Sequence, residues 1–165
     1  MVACAASALA GAPDLREADA PEIRASLARP RSGRPKLVHL WASWCTPCTA
    51  EMPRLLAQLR RRTGSVDTVL ISLDDATTAA AAAGLLRRSG GVPGESLRAR
   101  GADAVAVIRE FDRAWDGSLP ATYLISGEGA LLFAQRGITD LQQVASQLDR
   151  AGSTGRGTAE RSIKP

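Results

Sequence analysis

The chain has 165 residues, a formal net charge of +4, 45% hydrophobic and 4% aromatic side chains, and three cysteines. That length gives one ordinary domain able to bury its own core without disulfide staples or a structural metal, so the cysteines are free to be functional. The arginines are scattered rather than gathered into a stripe and are not interleaved with aromatics, which argues against a nucleic-acid partner, and no apolar run reaches membrane-spanning length.

Residues 1–20 are expected to form a flexible N-terminal segment. Its first stretch, MVACAASALAGAP, is small and apolar but lacks the basic start and the full apolar run of a signal peptide. Val2-Ala3-Cys4 is similar to the end of a bacterial lipobox, which makes Cys4 a candidate lipid anchor on a longer precursor. The alternative is an incidental thiol on a frayed terminus.

The domain is expected over residues 21–150. A short helix is predicted over 21–28, with Pro21 in its first turn, Glu22 at its positive end, and Ile23 and Leu27 facing inward. A basic loop follows over 29–36. The uniformly apolar stretch 37–42 is too short for an amphipathic surface element and fits a strand covered on both faces. A helix is predicted over 45–62, burying Met52, Leu55, Leu56 and Leu59 and kinked by Pro53. Residues 66–73 read as a second buried strand, rich in branched side chains. The alanine-rich run 76–88 reads as a helix capped by Asp74 or Asp75.

Residues 89–101, with Gly90, Gly91, Pro93 and Gly94, are predicted to be loop. A helix over 102–115 follows, carrying Val105, Ile108, Phe111 and Trp115, and the segment 115–120 breaks it. Stretches 121–126 and 130–136, joined by Gly127-Glu128-Gly129, predict an antiparallel hairpin, and 138–150 the last helix. The tail 151–165 is predicted to be disordered. This order gives an α/β fold, a mixed central sheet with parallel first strands and a C-terminal antiparallel hairpin, flanked by helices.

The candidate chemistry lies in LVHLWASWCTPCTAEMP. Cys45 and Cys48 are two thiols at a strand-to-helix junction, the setting of a redox pair. A helix start offers unpaired amides and a positive dipole end, which stabilise a thiolate, so Cys45 is the expected nucleophile and Cys48, one turn inside, the resolving thiol. Pro47 fixes the first turn, and the uncharged Thr46 favours a reducing over an oxidising poise. Two other readings stand beside this one: inert buried cysteines, and a soft-metal clip. Zinc would want four ligands, with only His39 and Cys4 to complete the set, so no zinc site is expected; Cu(I) needs fewer and stays open.

Trp44-Cys45-Thr46-Pro47-Cys48, followed by SLPATYLIS and GALLFAQRG, resembles the thioredoxin superfamily and specifically its TlpA/ResA-like branch of bacterial extracytoplasmic thiol-disulfide oxidoreductases. The resemblance runs over about residues 37–150 and implies a thioredoxin-like fold in which Leu119-Pro120 is a cis bond set beside the thiols to receive an extended partner peptide. It also implies that Glu51 sits near the thiols and takes part in their proton chemistry; a solvated glutamate on the helix face is the equal alternative. His39 departs from the pattern, standing where thioredoxin has a buried aspartate. A hydrogen-bonded core histidine is the preferred reading, a proton relay the other. Trp41 is expected in the core and Trp44 over the disulfide, while Trp115 either closes its helix in the core or meets a substrate. The stretch 74–117 is long beside thioredoxin, the kind of insertion that sets partner choice in this branch.

The function this implies is reduction of protein disulfides by the Cys45–Cys48 pair, a redox-active disulfide needing no further cofactor, in a monomer located outside the cytoplasm. The clients implied are apocytochrome c thiols or copper-site assembly proteins; the electron donor is left unassigned. Because the written N-terminus carries no complete export signal, a cytoplasmic location stays open. A Cu(I) carrier, or an interaction module with idle thiols, are the competing functions.

Overall fold

The computed structural model describes residues 15–159, with side chains described for 15–151. The lipobox-like Val2-Ala3-Cys4 and the last residues of the tail, 160–165, lie outside the described residues. Among the described residues, six strands and five helices follow in the order β1 Arg16–Ala18, α1 Ala20–Leu27, β2 Lys36–Trp41, α2 Thr46–Arg60, β3 Asp67–Ser72, α3 Ala79–Arg88, β4 Glu95–Ala99, α4 Gly101–Phe111, β5 Ala121–Ile125, β6 Leu131–Arg136 and α5 Leu141–Ala159. The strands form one mixed sheet, β1-β4-β3-β2-β5-β6. Strands β1, β4, β3 and β2 run parallel, and the β5–β6 hairpin is antiparallel to β2 and to itself.

The sheet is covered on both faces because its central strands alternate between two apolar layers. On one face Leu37 and Trp41 of β2 and Leu70 of β3 pack with Met52, Leu55, Leu56 and Leu59 of α2, with Leu86 of α3, and with Leu141, Val144 and Leu148 of α5. On the other, Val38 and Leu40 pack with Ile23 and Leu27 of α1 and Val107 and Ile108 of α4. His39 alternates in step with Leu37 and Trp41 and therefore faces the α2 side.

Several elements start elsewhere than the pattern suggests. Asp19, not Pro21, opens α1: its side chain accepts from Glu22 N while Glu22 returns a bond to the Asp19 N–H, a capping box. Helix α2 runs on through Pro53 to Arg60. Helix α3 starts at Ala79 because Asp75 Oδ1 spends itself on the N–H groups of Thr77 and Thr78 and holds them in a turn. Asp140 accepts from the N–H groups of Gln142 and Gln143, so α5 begins after Ile138 and Thr139.

Three expectations are corrected outright. The segment 89–101 is not all loop, since it contains β4, an inner strand of the sheet. Residues 1–20 are not all flexible, since Arg16–Ala18 form β1 against β4. Both strands were hidden by charge: Glu17 lies opposite Arg98, and the two side chains form an ion pair across the strands, replacing the apolar alternation that marks a strand in sequence. Third, α5 continues past residue 150 to Ala159, so residues 151–159 of the expected disordered tail are helical. Once a helix is nucleated on a buried face, each further residue adds a hydrogen bond at little cost. The stretch 74–117 accordingly holds α3, β4 and α4 and is part of the scaffold.

Candidate active site

Strand β2 ends at Trp41, and the chain turns through Ala42, Ser43 and Trp44 into Cys45, the N-cap of α2. Asp74, which the sequence pattern offers as a cap for α3, anchors this turn instead. Its carboxylate is 1% exposed and accepts from the Ser43 N–H at 2.8 Å, from the Ser43 hydroxyl, and from Ser72 Oγ at 2.6 Å. The turn is thereby tied to the end of the neighbouring strand β3. Nothing in the local sequence signals this role, because Ser43 and Asp74 are 31 residues apart and meet only through the β2–β3 pairing.

Cys45 and Cys48 form a disulfide with an S–S distance of 2.07 Å. The Cys48 N–H donates to Cys45 Sγ at 3.3 Å, so the sulfur takes the place of a capping oxygen at the positive end of the helix. Cys45 is 7% exposed and Cys48 fully buried, an asymmetry that suits one sulfur to outside attack and the other to internal resolution. Pro47 lies in the first turn of α2, where its missing N–H costs nothing. Trp44, the residue before Cys45, is 60% exposed and presents its ring to solvent.

The Leu119–Pro120 bond is cis. Leu40 pairs with Ala121 across β2 and β5, so Pro120 lies one step further along, at the sheet end from which the chain leaves for Cys45. Its carbonyl accepts from the Gly137 N–H at 2.8 Å, tying it to the end of β6. Leu119 packs between the two core layers, and Trp115, 4% exposed, donates from Nε1 to the Ser118 carbonyl at 2.8 Å. Trp115 is therefore a core residue that closes the loop leading to Pro120.

Glu51 is not a solvated helix-face residue: it is 8% exposed, on the buried side of α2 one turn beyond Cys48. Its Oε2 accepts from the Thr139 N–H at 3.1 Å and its Oε1 from the Thr139 hydroxyl at 2.6 Å. Burial raises its pKa above the ordinary carboxylate value, and the two Thr139 bonds oppose that rise. Glu51 forms part of the wall of an open cavity of about 480 Å³ that is also lined by Pro47, Arg54, Ile138 and Thr139.

His39 is fully buried, and its Nδ1 lies 2.9 Å from the hydroxyl of Thr122, its direct cross-strand partner on β5. Its Nε2 lies 3.5 Å from Glu51 Oε1. That is ion-pair distance only for a charged imidazole, and burial drives the His39 pKa down to about 3, so the ring is neutral near pH 7. The histidine is thus a hydrogen-bonded core residue whose partner is Thr122, and it lies against the glutamate. Thr122 and Thr139, which complete this cluster with hydroxyls 3.3 Å apart, are the members that sequence reasoning missed.

A Redoxin family model matches residues 8–147. The chain belongs to the Redoxin family. A 39-residue stretch is 51% identical to the thiol:disulfide interchange protein HelX of Rhodobacter capsulatus, and it spans 24% of this chain and 20% of the relative's length. Among solved structures, a secreted Mycobacterium tuberculosis disulfide oxidoreductase homologous to Escherichia coli DsbE shares 19% identity with a TM-score of 0.56, covering 76% of this chain and 85% of its own. A thioredoxin-family thiol:disulfide interchange protein from Chlorobium tepidum shares 15% identity with a TM-score of 0.61, covering 78% and 83%. At such identities the likeness is one of fold. Family and fold are thus shown, a Redoxin chain with a thioredoxin-like architecture, and it carries a Cys-x-x-Cys disulfide at the start of α2.

Proposed function

We propose that this protein reduces disulfides in other proteins, using the Cys45–Cys48 couple as its redox group with no further cofactor. The observation that carries the reading is Cys45 Sγ at the N-cap of α2, accepting the Cys48 N–H, with Cys48 fully buried behind it. The reduced Cys45 is held as a thiolate by that amide and by the helix dipole. It attacks one sulfur of a client disulfide, forming a mixed disulfide and releasing the other client sulfur as a thiolate. Cys48 then gives its proton to the Glu51 carboxylate and attacks Cys45 Sγ. The Cys45–Cys48 disulfide re-forms and the second client sulfur leaves, so two electrons have passed to the client. A dithiol donor must then reduce the pair again.

The exposed Trp44 ring, adjacent to Cys45 in the chain, and the cis Leu119–Pro120 segment, at the sheet end from which β2 leads to Cys45, offer an aromatic face and an extended backbone to a client peptide. Clients of the apocytochrome c or copper-site assembly type, and a site of action outside the cytoplasm, follow from the TlpA/ResA-like pattern of the active-site sequence and from the local match to a thiol:disulfide interchange protein. Dithiothreitol-driven reduction of insulin tests the activity: the wild type is expected to be active and Cys45→Ser inactive. Equal activity in the two overturns the proposal. A redox potential near about −270 mV supports the reducing direction, and one near about −120 mV reverses it.

A further inference from the structure

Four buried side chains from four parts of the fold close a ring that includes Glu51, one helical turn beyond Cys48: His39 of β2, Thr122 of β5, Thr139 of the β6–α5 connection and Glu51 of α2. The direction of its hydrogen bonds can be read from the inventory of protons. The Thr139 hydroxyl gives its one hydrogen to Glu51 Oε1. Toward Thr122 it can then only accept, so the Thr122 hydroxyl donates to it. Thr122 has then spent its hydrogen and must accept from His39, which places the imidazole proton on Nδ1. His39 Nε2 is left bare, a buried acceptor with no hydrogen-bond partner, facing Glu51 Oε1 at 3.5 Å.

Two acceptors held that close, with no room between them for a water, are at odds while Glu51 is ionised. A proton on Oε1 resolves the conflict, because the O–H donates to Nε2 after a shift of well under about 1 Å and leaves both Thr139 bonds in place. We propose that His39 is the positioning residue for the Glu51 proton: its bare Nε2 accepts a hydrogen bond from the protonated carboxyl and so strengthens Glu51 as the base that receives the Cys48 proton. The proposal rests on the assignment of Glu51 as proton partner of Cys48. The proton that leaves the Cys48 thiol comes to rest on Glu51 Oε1 against His39, and it returns to water through the cavity lined by Pro47, Arg54, Ile138 and Thr139. His39 gains and loses no proton. The ionisable groups that share Glu51's surroundings are His39 from the sheet, Cys48 and Arg54 from its own helix, and Asp140 at the cavity wall.

His39 is the only histidine of the chain, so its ring nitrogens can be observed by ¹⁵N NMR without assignment. The wild type is expected to show a protonated Nδ1 and a bare Nε2 from about pH 5 to about pH 8, with Nε2 shifting as Glu51 titrates. A hydrogen on Nε2, or an imidazolium in that range, overturns the proposal and needs no variant. His39→Asn keeps a polar atom for Thr122 and removes the one that faces Glu51; His39→Gln restores an acceptor there. In the reduced protein the Glu51 carboxyl, followed by ¹³C NMR, is expected to titrate about one unit or more lower in His39→Asn and to recover in His39→Gln. The pH midpoint for resolution of the mixed disulfide is expected to move with it. An unmoved Glu51 titration in a folded His39→Asn sinks the idea. The underlying reading fails separately: if Glu51→Gln resolves mixed disulfides as fast as wild type, Glu51 is not the thiol's base, whatever its titration shows.

Discussion

His39 and Thr122 meet because β2 and β5 pair antiparallel with these two residues opposite each other, and this register gives a buried imidazole a hydroxyl partner instead of a charge. Its neutrality has a consequence for stability. A histidine whose folded pKa is depressed to about 3 must take up a proton on unfolding in acid. Its contribution is complete above its ordinary value of about 6.5 and is lost as the pH falls from there toward about 3. Between about pH 7 and about pH 4 the wild type is expected to lose on the order of 3 kcal/mol more stability than His39→Asn, measured by urea unfolding. Parallel curves for the two proteins would show that the ring is protonated inside the fold. Glu51 has the opposite sense: its raised pKa disfavours the fold as the pH rises through the window above the usual carboxylate value, a cost retained one helical turn beyond Cys48.

Loops and strand ends are fixed by close backbone approaches as much as by side chains. The turn of the β5–β6 hairpin lies directly on the loop before β2: a Cβ at Gly127 would come within 2.0 Å of the Gly33 carbonyl oxygen. Arg29 Nε donates to the Gly127 carbonyl at 3.2 Å across the same contact. Gly127→Ala is therefore expected to destabilise the protein by about 1–3 kcal/mol in chemical denaturation. A loss below about 0.5 kcal/mol would mean that the two loops part easily. A similar tie secures the other end of the sheet, where Asp112 accepts from Arg136 through two bonds of 2.6 Å and from the Tyr123 hydroxyl at 2.8 Å. It joins the end of α4 to both strands of the hairpin just behind the cis-proline loop. The pairing with Arg136 holds the Asp112 pKa below its ordinary value.

Taken whole, the molecule is not expected to depend on its disulfide for folding. The pair closes a loop with a sequence separation of only three, while the sheet is buried between two full apolar layers. Chain entropy assigns so small a loop no more than about 2 kcal/mol. Reduction is expected to lower the melting temperature by less than about 8 °C and to leave the far-ultraviolet circular dichroism unchanged. Unfolding on reduction would identify a structural staple instead of a working redox couple.

The residues proposed to carry the chemistry could be read directly from the chain. A uniformly apolar run ending in Trp-Cys-x-Pro-Cys specifies, through local geometry alone, a buried strand, a helix start and a sulfur at the helix cap. The main helices and the hairpin were legible for the same reason, since their apolar spacing and turn glycines are local signals. Strands β1 and β4 were not, because each is specified by a partner distant in sequence, with the Glu17–Arg98 pair where an apolar stripe would otherwise stand. The same limit applies to Asp74, to the Thr122 and Thr139 hydroxyls, and to whether Glu51 meets water or His39. Local sequence sets which groups are available and which helix and strand faces bear them. Only the pairing of β2 with β3 and β5, and the packing of α2 and the start of α5 on that sheet, decides which buried groups share a hydrogen bond and hence where a proton can rest.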